Sequence, residues 1–146
     1  MIPTDPPWST AVHEAAHAVV ARALGRGVVR VSIEADADSH GHVRMTPFPD
    51  GFDPALAYYD ARVRRRVEDQ IMIACAGGIT QGRVDPEEFD VLWGSQSDYD
   101  NAHDLALWAS SGDGDEAAAY VEWLRLRTSQ IVWNPIWWAG HGVEGR

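Results

Sequence analysis

Two histidines and a glutamate stand close together near the start of the chain. The sequence HEAAH places His13 and His17 four residues apart, with Glu14 directly after the first histidine. Residues at this spacing on a helix lie one turn apart on the same face, so both imidazoles can reach one zinc ion at ~2.0–2.1 Å. The glutamate points to the side, where it can hold and deprotonate a water. The five residues therefore predict two zinc ligands and a general base.

The alternative is an amphipathic helix that carries two histidines by chance, since the motif is short. The helix would bury one face, and both histidines belong to it. Burying two imidazoles among alanine, valine and leucine costs free energy unless they have polar partners, and one metal ion satisfies both. We therefore favour the metal site. The predicted inward face consists of His13, Ala16, His17, Val20 and Leu24.

A catalytic zinc usually has three protein ligands and one open position, so a third ligand is required. The extended pattern HExxHxxGxxH fails, because Val20 and Ala23 replace its glycine and its histidine. Asp98 shares a predicted core-facing stripe with Ala102 and Leu105, which favours a ligand role. The alternative is that Asp98 only stabilises the N-terminus of its helix. Spacing alone leaves these candidates open: Glu34, Glu68, Asp85, Glu87, Glu88, Asp98 and His103.

Local signals predict four helices and one antiparallel pair of strands, so the expected class is mainly α with a small antiparallel β-sheet. The first helix begins at a cap, Ser9 or Thr10, after an extended proline-rich segment at residues 1–8, and it stops at Gly25. The first helix is predicted to end at Leu24, and the strands are predicted at 28–33 and 41–47. A second helix should run from Asp53 or Asp60 to about Gly77 or beyond, followed by a polar connection from Thr80. A third helix should start at Ser97, a fourth should run from Glu116 to about Ile131, and a tail should occupy 134–146.

Length and composition narrow the class of protein. A chain of 146 residues fits one domain over residues 1–146, and no apolar run is long enough to predict a membrane helix. The net charge of −10 argues against nucleic-acid binding, and the absence of lysine excludes an ordinary phosphate-binding loop, so the chain has no P-loop ATPase of its own. The single cysteine, Cys75, and the lack of a signal-peptide pattern predict a reducing, cytoplasmic location.

Four ordered segments resemble the peptidase domain of the FtsH family of ATP-dependent zinc metalloproteases. VHEAAHAVVARAL is similar to the HEAGHALVA helix of the family, and VVRVSI with GHVRMTP is similar to its strand pair. RRRVEDQIMIACAGG is similar to its helix that ends in a double glycine, and GSQSDYDNAHDLA to its GASNDLxxAT block. Together the segments cover roughly residues 9–110. The departures are the absence of the membrane segment and the ATPase module, and Thr80, Gln81, Gly82 in place of Ala-Ala-Glu.

The resemblance implies a zincin-type active-site helix in an FtsH-peptidase-like helical domain. It implies that the family's third zinc ligand, an aspartate, falls on Asp98, so that Zn²⁺ is held by His13, His17 and Asp98 with Glu14 as the catalytic base. An extended substrate would then add beside the second strand, at Gly41, His42 and Val43.

The expected function is a zinc metalloendopeptidase that hydrolyses peptides or unfolded proteins without ATP in this chain. The alternatives are a zinc-binding regulatory or interaction module with little or no proteolytic activity, and a peptidase subunit that requires a separate ATPase partner. The family also implies a possible homo-oligomer.

Overall fold

The structure is a computed structural model that describes residues 8–32, 42–45, 53–84 and 96–136. Helices dominate it, which confirms the mainly helical class. The elements are α1 (Trp8–Ala23), β1 (Val28–Ser32), β2 (His42–Met45), a short 3-10 helix (Pro54–Tyr58), α2 (Ala61–Val84), α3 (Gln96–Ala109) and α4 (Gly114–Val132).

Helix α1 ends where the sequence predicts. Gly25 has a φ of 74°, a left-handed conformation that glycine adopts without steric cost. Its N–H donates to the Arg22 carbonyl at 2.9 Å, and the Arg26 N–H donates to the Ala21 carbonyl at 2.8 Å, which closes the helix with a glycine C-terminal cap. The predicted inward face is confirmed for its first four residues, because Ala16 and Val20 are fully buried beside both buried histidines, whereas Leu24 is half-buried.

The start of α1 differs from the prediction. Trp8 already belongs to the helix, so an extended segment over residues 1–8 is wrong at its last residue, and Ser9 and Thr10 lie inside the helix rather than at its cap. The prolines restrict the backbone only as far as Pro7, and a proline just before a helix is compatible with its first turn. Residues 1–7 lie outside the described part of the chain, as do residues 137–146 of the predicted tail.

Helix α2 is the central element and packs against α1, α3 and α4. The Asp60 carboxylate accepts hydrogen bonds from the N–H groups of Arg62 at 2.9 Å and Val63 at 3.4 Å, which caps the helix start. The helix continues through Gly77 and Gly78 to Val84, so the predicted connection from Thr80 is wrong. Two helical glycines cost roughly 1 kcal/mol each relative to alanine. Burial on several sides offsets that cost, since every residue from 71 to 78 is buried.

Helices α3 and α4 pack against α2 and against each other. On α3, Ala102 is buried and Leu105 is half-buried, which agrees with the predicted stripe, and Ala106 and Ala109 are buried as well. Asp100, Asn101 and Asp104 are exposed. Helix α4 starts at Gly114, two residues before the predicted Glu116, because the Asp113 carboxylate caps it by accepting from the Glu116 N–H at 2.9 Å.

The strands β1 and β2 pair in antiparallel register, with Val31 opposite Val43 and Ser32 opposite His42. Both strands contact α1. In the described residues β2 pairs with β1 and with no other strand.

A partly buried ion pair joins Arg26, just after α1, to Asp69 in the middle of α2. The Arg26 guanidinium donates two hydrogen bonds to one oxygen of Asp69, at 2.9 Å and 2.6 Å, and Asp69 is buried. The pair links the end of α1 to α2, and removing Arg26 would leave the buried Asp69 carboxylate without this charged partner. No helix in residues 8–32, 53–84 or 96–136 is long and apolar enough to cross a membrane.

Candidate metal centre

Helix α1 places the two histidines and the glutamate of HEAAH in the interior. His13, Glu14 and His17 are 7%, 6% and 8% exposed. One potential ligand atom from each lies within 4.8 Å of the others, so the three side chains form a group that could hold a metal ion. The rings of His13 and His17 meet edge to face, with centroids 4.7 Å apart. Because the two histidines are four residues apart on α1, both rings point into the same space beside α2 and meet there.

Helix α3 brings Asp98 to the same point. Its Oδ2 atom lies 3.0 Å from Nε2 of His13 and 3.5 Å from Nε2 of His17, although 85 and 81 residues separate the aspartate from the two histidines along the chain. Asp98 lies in the first turn of α3 and its side chain is 27% exposed. One face of the cluster is therefore open toward solvent while the imidazoles are enclosed.

The second ring nitrogen of His17 is bound to the backbone of α2. Nδ1 of His17 lies 2.5 Å from the carbonyl oxygen of Ile73, a group that can only accept, so Nδ1 carries the hydrogen and donates. In the neutral imidazole, Nε2 then has a free lone pair. That lone pair faces the Asp98 carboxylate.

The second ring nitrogen of His13 has a side-chain partner. Nδ1 of His13 donates to Oε1 of Gln81 at 2.9 Å. Nε2 of His13 is thus left, like that of His17, as the atom that faces Asp98. Two lone pairs and a carboxylate oxygen cannot converge this closely without a cation between them, which is either a proton or a metal ion.

The ionisation of the cluster without metal agrees with this arrangement. Burial alone lowers the pKa of His17, but the hydrogen bond and the charge of Asp98, with the Ile73 carbonyl, outweigh it, so the pKa of His17 is raised. Burial alone raises the pKa of Asp98, but the hydrogen bonds and charges of His13 and His17 outweigh it and hold that pKa well below its ordinary value. Both shifts favour positive charge beside an ionised Asp98.

The donor set fits zinc. Tetrahedral zinc with nitrogen and oxygen ligands at ~2.0–2.1 Å requires neighbouring ligand atoms to be roughly 3.3 Å apart. The two distances from Asp98 Oδ2, 3.0 Å and 3.5 Å, lie on either side of that value. Two imidazoles, each donating from Nδ1, and one carboxylate are also the ligand set and the outer hydrogen bonds of many catalytic zinc sites.

Gly77 of α2 leaves the space that His13 occupies. A Cβ atom at this position would lie 2.4 Å from Nε2 of His13, 2.5 Å from Cε1 and 2.6 Å from Cδ2. The imidazole thus rests directly on the backbone of α2. Only glycine allows this approach.

The other candidates for the third ligand lie elsewhere or outside the described residues. Glu68 accepts a hydrogen bond from the Tyr120 hydroxyl, and His103 stacks on Tyr99 with centroids 6.2 Å apart. Glu34, Asp85, Glu87, Glu88 and the predicted substrate-binding Gly41 are outside the described residues. His42 and Val43 lie on β2.

Three contacts of the cluster have no counterpart in the sequence-based prediction: the Ile73 carbonyl, the space at Gly77, and the Gln81 amide. They lie at intervals of four residues on α2, and hence on one face of it. This spacing would have indicated a shared face if the helix had been extended past the double glycine. Because the helix was expected to end near Thr80, the shared face of Ile73, Gly77 and Gln81 was not predicted.

Comparisons with known proteins yield no match. No family model matches the chain, and no curated protein and no solved structure shows significant similarity to it. The chemistry of the site is therefore inferred from its own ligand set, distances and burial.

If Asp98 is a ligand, Asp98→Ala should lower zinc affinity by more than ~100-fold, because the loss of a direct ligand exceeds the 10–100-fold typical of outer partners. Competition titration against a chromophoric chelator measures this. Asp100→Ala is the matched control, since it removes an exposed acid from the same end of α3. Equal affinities in the two variants would assign Asp98 to the helix terminus instead of the metal.

Proposed function

We propose that this chain is a zinc-dependent metalloendopeptidase that hydrolyses peptide bonds in peptides or unfolded proteins without ATP. The observation that carries the proposal is the convergence of two imidazole Nε2 atoms on one Asp98 oxygen, at 3.0 Å and 3.5 Å. Both imidazoles are oriented by acceptors on Nδ1, so the free lone pairs point at a common position. His13, His17 and Asp98 would hold the ion and leave its fourth position open.

Glu14 has the position and chemistry of the catalytic base. It follows the first ligand directly, is buried, and lies within 4.8 Å of the histidine donors. When bound, zinc supplies a Lewis acid for the scissile carbonyl and acidifies the attacking water. Glu14 would take a proton from the attacking water and pass it to the leaving amine.

A peptide substrate would bind beside β2. Among the described strands only β1 pairs with β2, so the second edge of β2 offers backbone donors and acceptors to an extended chain. Recognition through the main chain tolerates many sequences, which suits a peptidase for flexible or unfolded segments. The residues proposed for this contact are Gly41, His42 and Val43.

The proposal includes a zincin-type active-site helix within an FtsH-peptidase-like domain. Support comes from the four ordered sequence segments and from the placement of Asp98 beside HEAAH. The alternatives differ in what completes the site. A fourth protein ligand on the metal would indicate a zinc-binding module, and activity only with a separate ATPase and ATP would indicate a peptidase subunit.

The test is cleavage of casein and of a quenched peptide library by the purified chain. We expect hydrolysis with one equivalent of zinc, loss of activity after chelation, and recovery after zinc is added back. The zinc content should be measured in the same samples by elemental analysis. Stoichiometric zinc with no cleavage of any unfolded substrate would contradict the peptidase proposal and favour the binding module.

A further inference from the structure

We propose that Gln81 is a positioning residue for the zinc site, where it fixes the His13 ring and its hydrogen so that Nε2 is free to bind the metal. The inference rests on the proposed zinc site, but it concerns a residue of α2 that lies outside the ligand set and outside HEAAH. Its basis is the 2.9 Å hydrogen bond from Nδ1 of His13 to Oε1 of Gln81.

Gln81 belongs to a face of α2 that supports both imidazoles. Ile73, Gly77 and Gln81 are four residues apart, so they lie on successive turns of one helix face. The carbonyl of the first holds His17, and the second and third contact His13. Because higher residue numbers on α1 meet lower numbers on α2, the two helices run in opposite directions along this face.

The two histidines are held by different means. His17 donates to a backbone carbonyl, which belongs to the helix and does not depend on the side chain at that position. His13 donates to a side-chain amide, which depends on the residue at position 81. The hydrogen bond of His17 therefore survives a substitution at its partner position, whereas the hydrogen bond of His13 is lost if residue 81 has no acceptor.

The hydrogen bond from His13 to Gln81 determines both the orientation of the His13 ring and the tautomer of that ring. Gly77 fixes how closely the ring approaches α2, and Gln81 fixes its rotation within that space. An acceptor on Nδ1 also selects the tautomer whose Nε2 has a free lone pair and makes that nitrogen a stronger donor. Without it, the ring can place its hydrogen on Nε2 and donate to Asp98, which blocks the coordinating atom.

The test uses a graded set of variants at position 81. Gln81→Met keeps the length and removes the acceptor, Gln81→Ala removes the acceptor and the volume, and Gln81→Glu keeps an acceptor that cannot donate. Gln70→Met is the matched control, because it makes the same change earlier on α2. Zinc affinity by competition titration is the first readout. The second is the Nδ1–H proton of His13 in the zinc-loaded protein, observed by ¹⁵N-edited NMR.

We expect Gln81→Met and Gln81→Ala to bind zinc 10–100-fold more weakly than wild type, the range typical of outer partners of metal-bound histidine. Gln81→Glu and Gln70→Met should bind at least as tightly as wild type. The Nδ1–H signal should persist in the wild type and in Gln81→Glu, and exchange rapidly in Gln81→Met. A purely structural role would not be rescued by glutamate with the signal restored.

Three results separate this inference from the proposed function. If the wild type binds zinc and Gln81→Met and Gln81→Ala bind it equally well, Gln81 has no positioning role and the zinc site stands. The same conclusion follows if Gln81→Glu binds as weakly as Gln81→Met. If the wild type itself binds no zinc, the proposed function fails and this inference fails with it.

Discussion

Glu14→Gln should abolish peptide cleavage and leave zinc binding intact. The amide has nearly the same shape as the carboxylate, so it fits the buried position, but it cannot take a proton from water. General-base catalysis typically contributes 10²–10⁴-fold, and we expect kcat/KM to fall by about 10³-fold or more. Zinc affinity should remain within a few-fold of wild type, because the proposed ligands are His13, His17 and Asp98.

The zinc affinity of Glu14→Gln shows whether Glu14 is the catalytic base or a ligand of the metal. It lies in the metal-capable group with both histidines, so it could in principle bind the ion instead of a water. A loss of zinc in Glu14→Gln that matches the loss in Asp98→Ala would make Glu14 a ligand and contradict its role as the base. Glu122→Gln is the control, because it makes the same change at an exposed side chain on α4. If Glu14→Gln cleaves peptides at the wild-type rate, the proposed mechanism with Glu14 as general base is wrong.

The parts of the site that local patterns determine could be predicted from the sequence. Four-residue spacing places His13 and His17 on one helix face, and the left-handed preference of glycine ends that helix at Gly25. The stripe of Asp98, Ala102 and Leu105 also follows from helical periodicity. In each case the cause is confined to one helix.

The contacts between helices could not be predicted in the same way. The glycines at 77 and 78 disfavour a helix locally, yet α2 continues through them to Val84. The reason is not local, because its middle part is buried between three other helices. The position of Gln81 beside His13 depends on that continuation and on the packing of α1 along α2. Neither is encoded in any short window of sequence.

The packing of α1 against α2 explains why the site requires a glycine, Gly77, where the two helices approach each other at His13. The cluster must bring two rings and a carboxylate within hydrogen-bond distance, and α2 must also reach Nδ1 of each ring with an acceptor. A helix with a side chain at position 77 would stand farther from α1. Its acceptors would then lose contact with the imidazoles. Gly77 is thus a condition of the close approach of α2 to His13 at the proposed metal site.

Gly77→Ala should therefore eliminate tight zinc binding. The new methyl group would lie within 2.4–2.6 Å of three atoms of the His13 ring. The ring is buried and bound on both sides, so it must leave its position or push α1 away from α2. Either response separates Nε2 of His13 from Asp98, and we expect zinc affinity to fall at least ~1,000-fold, more than for an outer partner. Competition titration measures the affinity, and circular dichroism shows whether the helices persist.

The stability of the same variant gives an independent check. Overpacking costs typically ~1–3 kcal/mol, whereas replacing a helical glycine by alanine gains roughly 1 kcal/mol. Gly114→Ala is the control, because an added Cβ there meets nothing within 4 Å, and it should be neutral or stabilising. In a His13→Ala background, Gly77→Ala should also become neutral or stabilising, since the clashing ring is gone. If Gly77→Ala destabilises equally with and without the His13 ring, or keeps wild-type zinc affinity, the close approach of α2 does not determine the site.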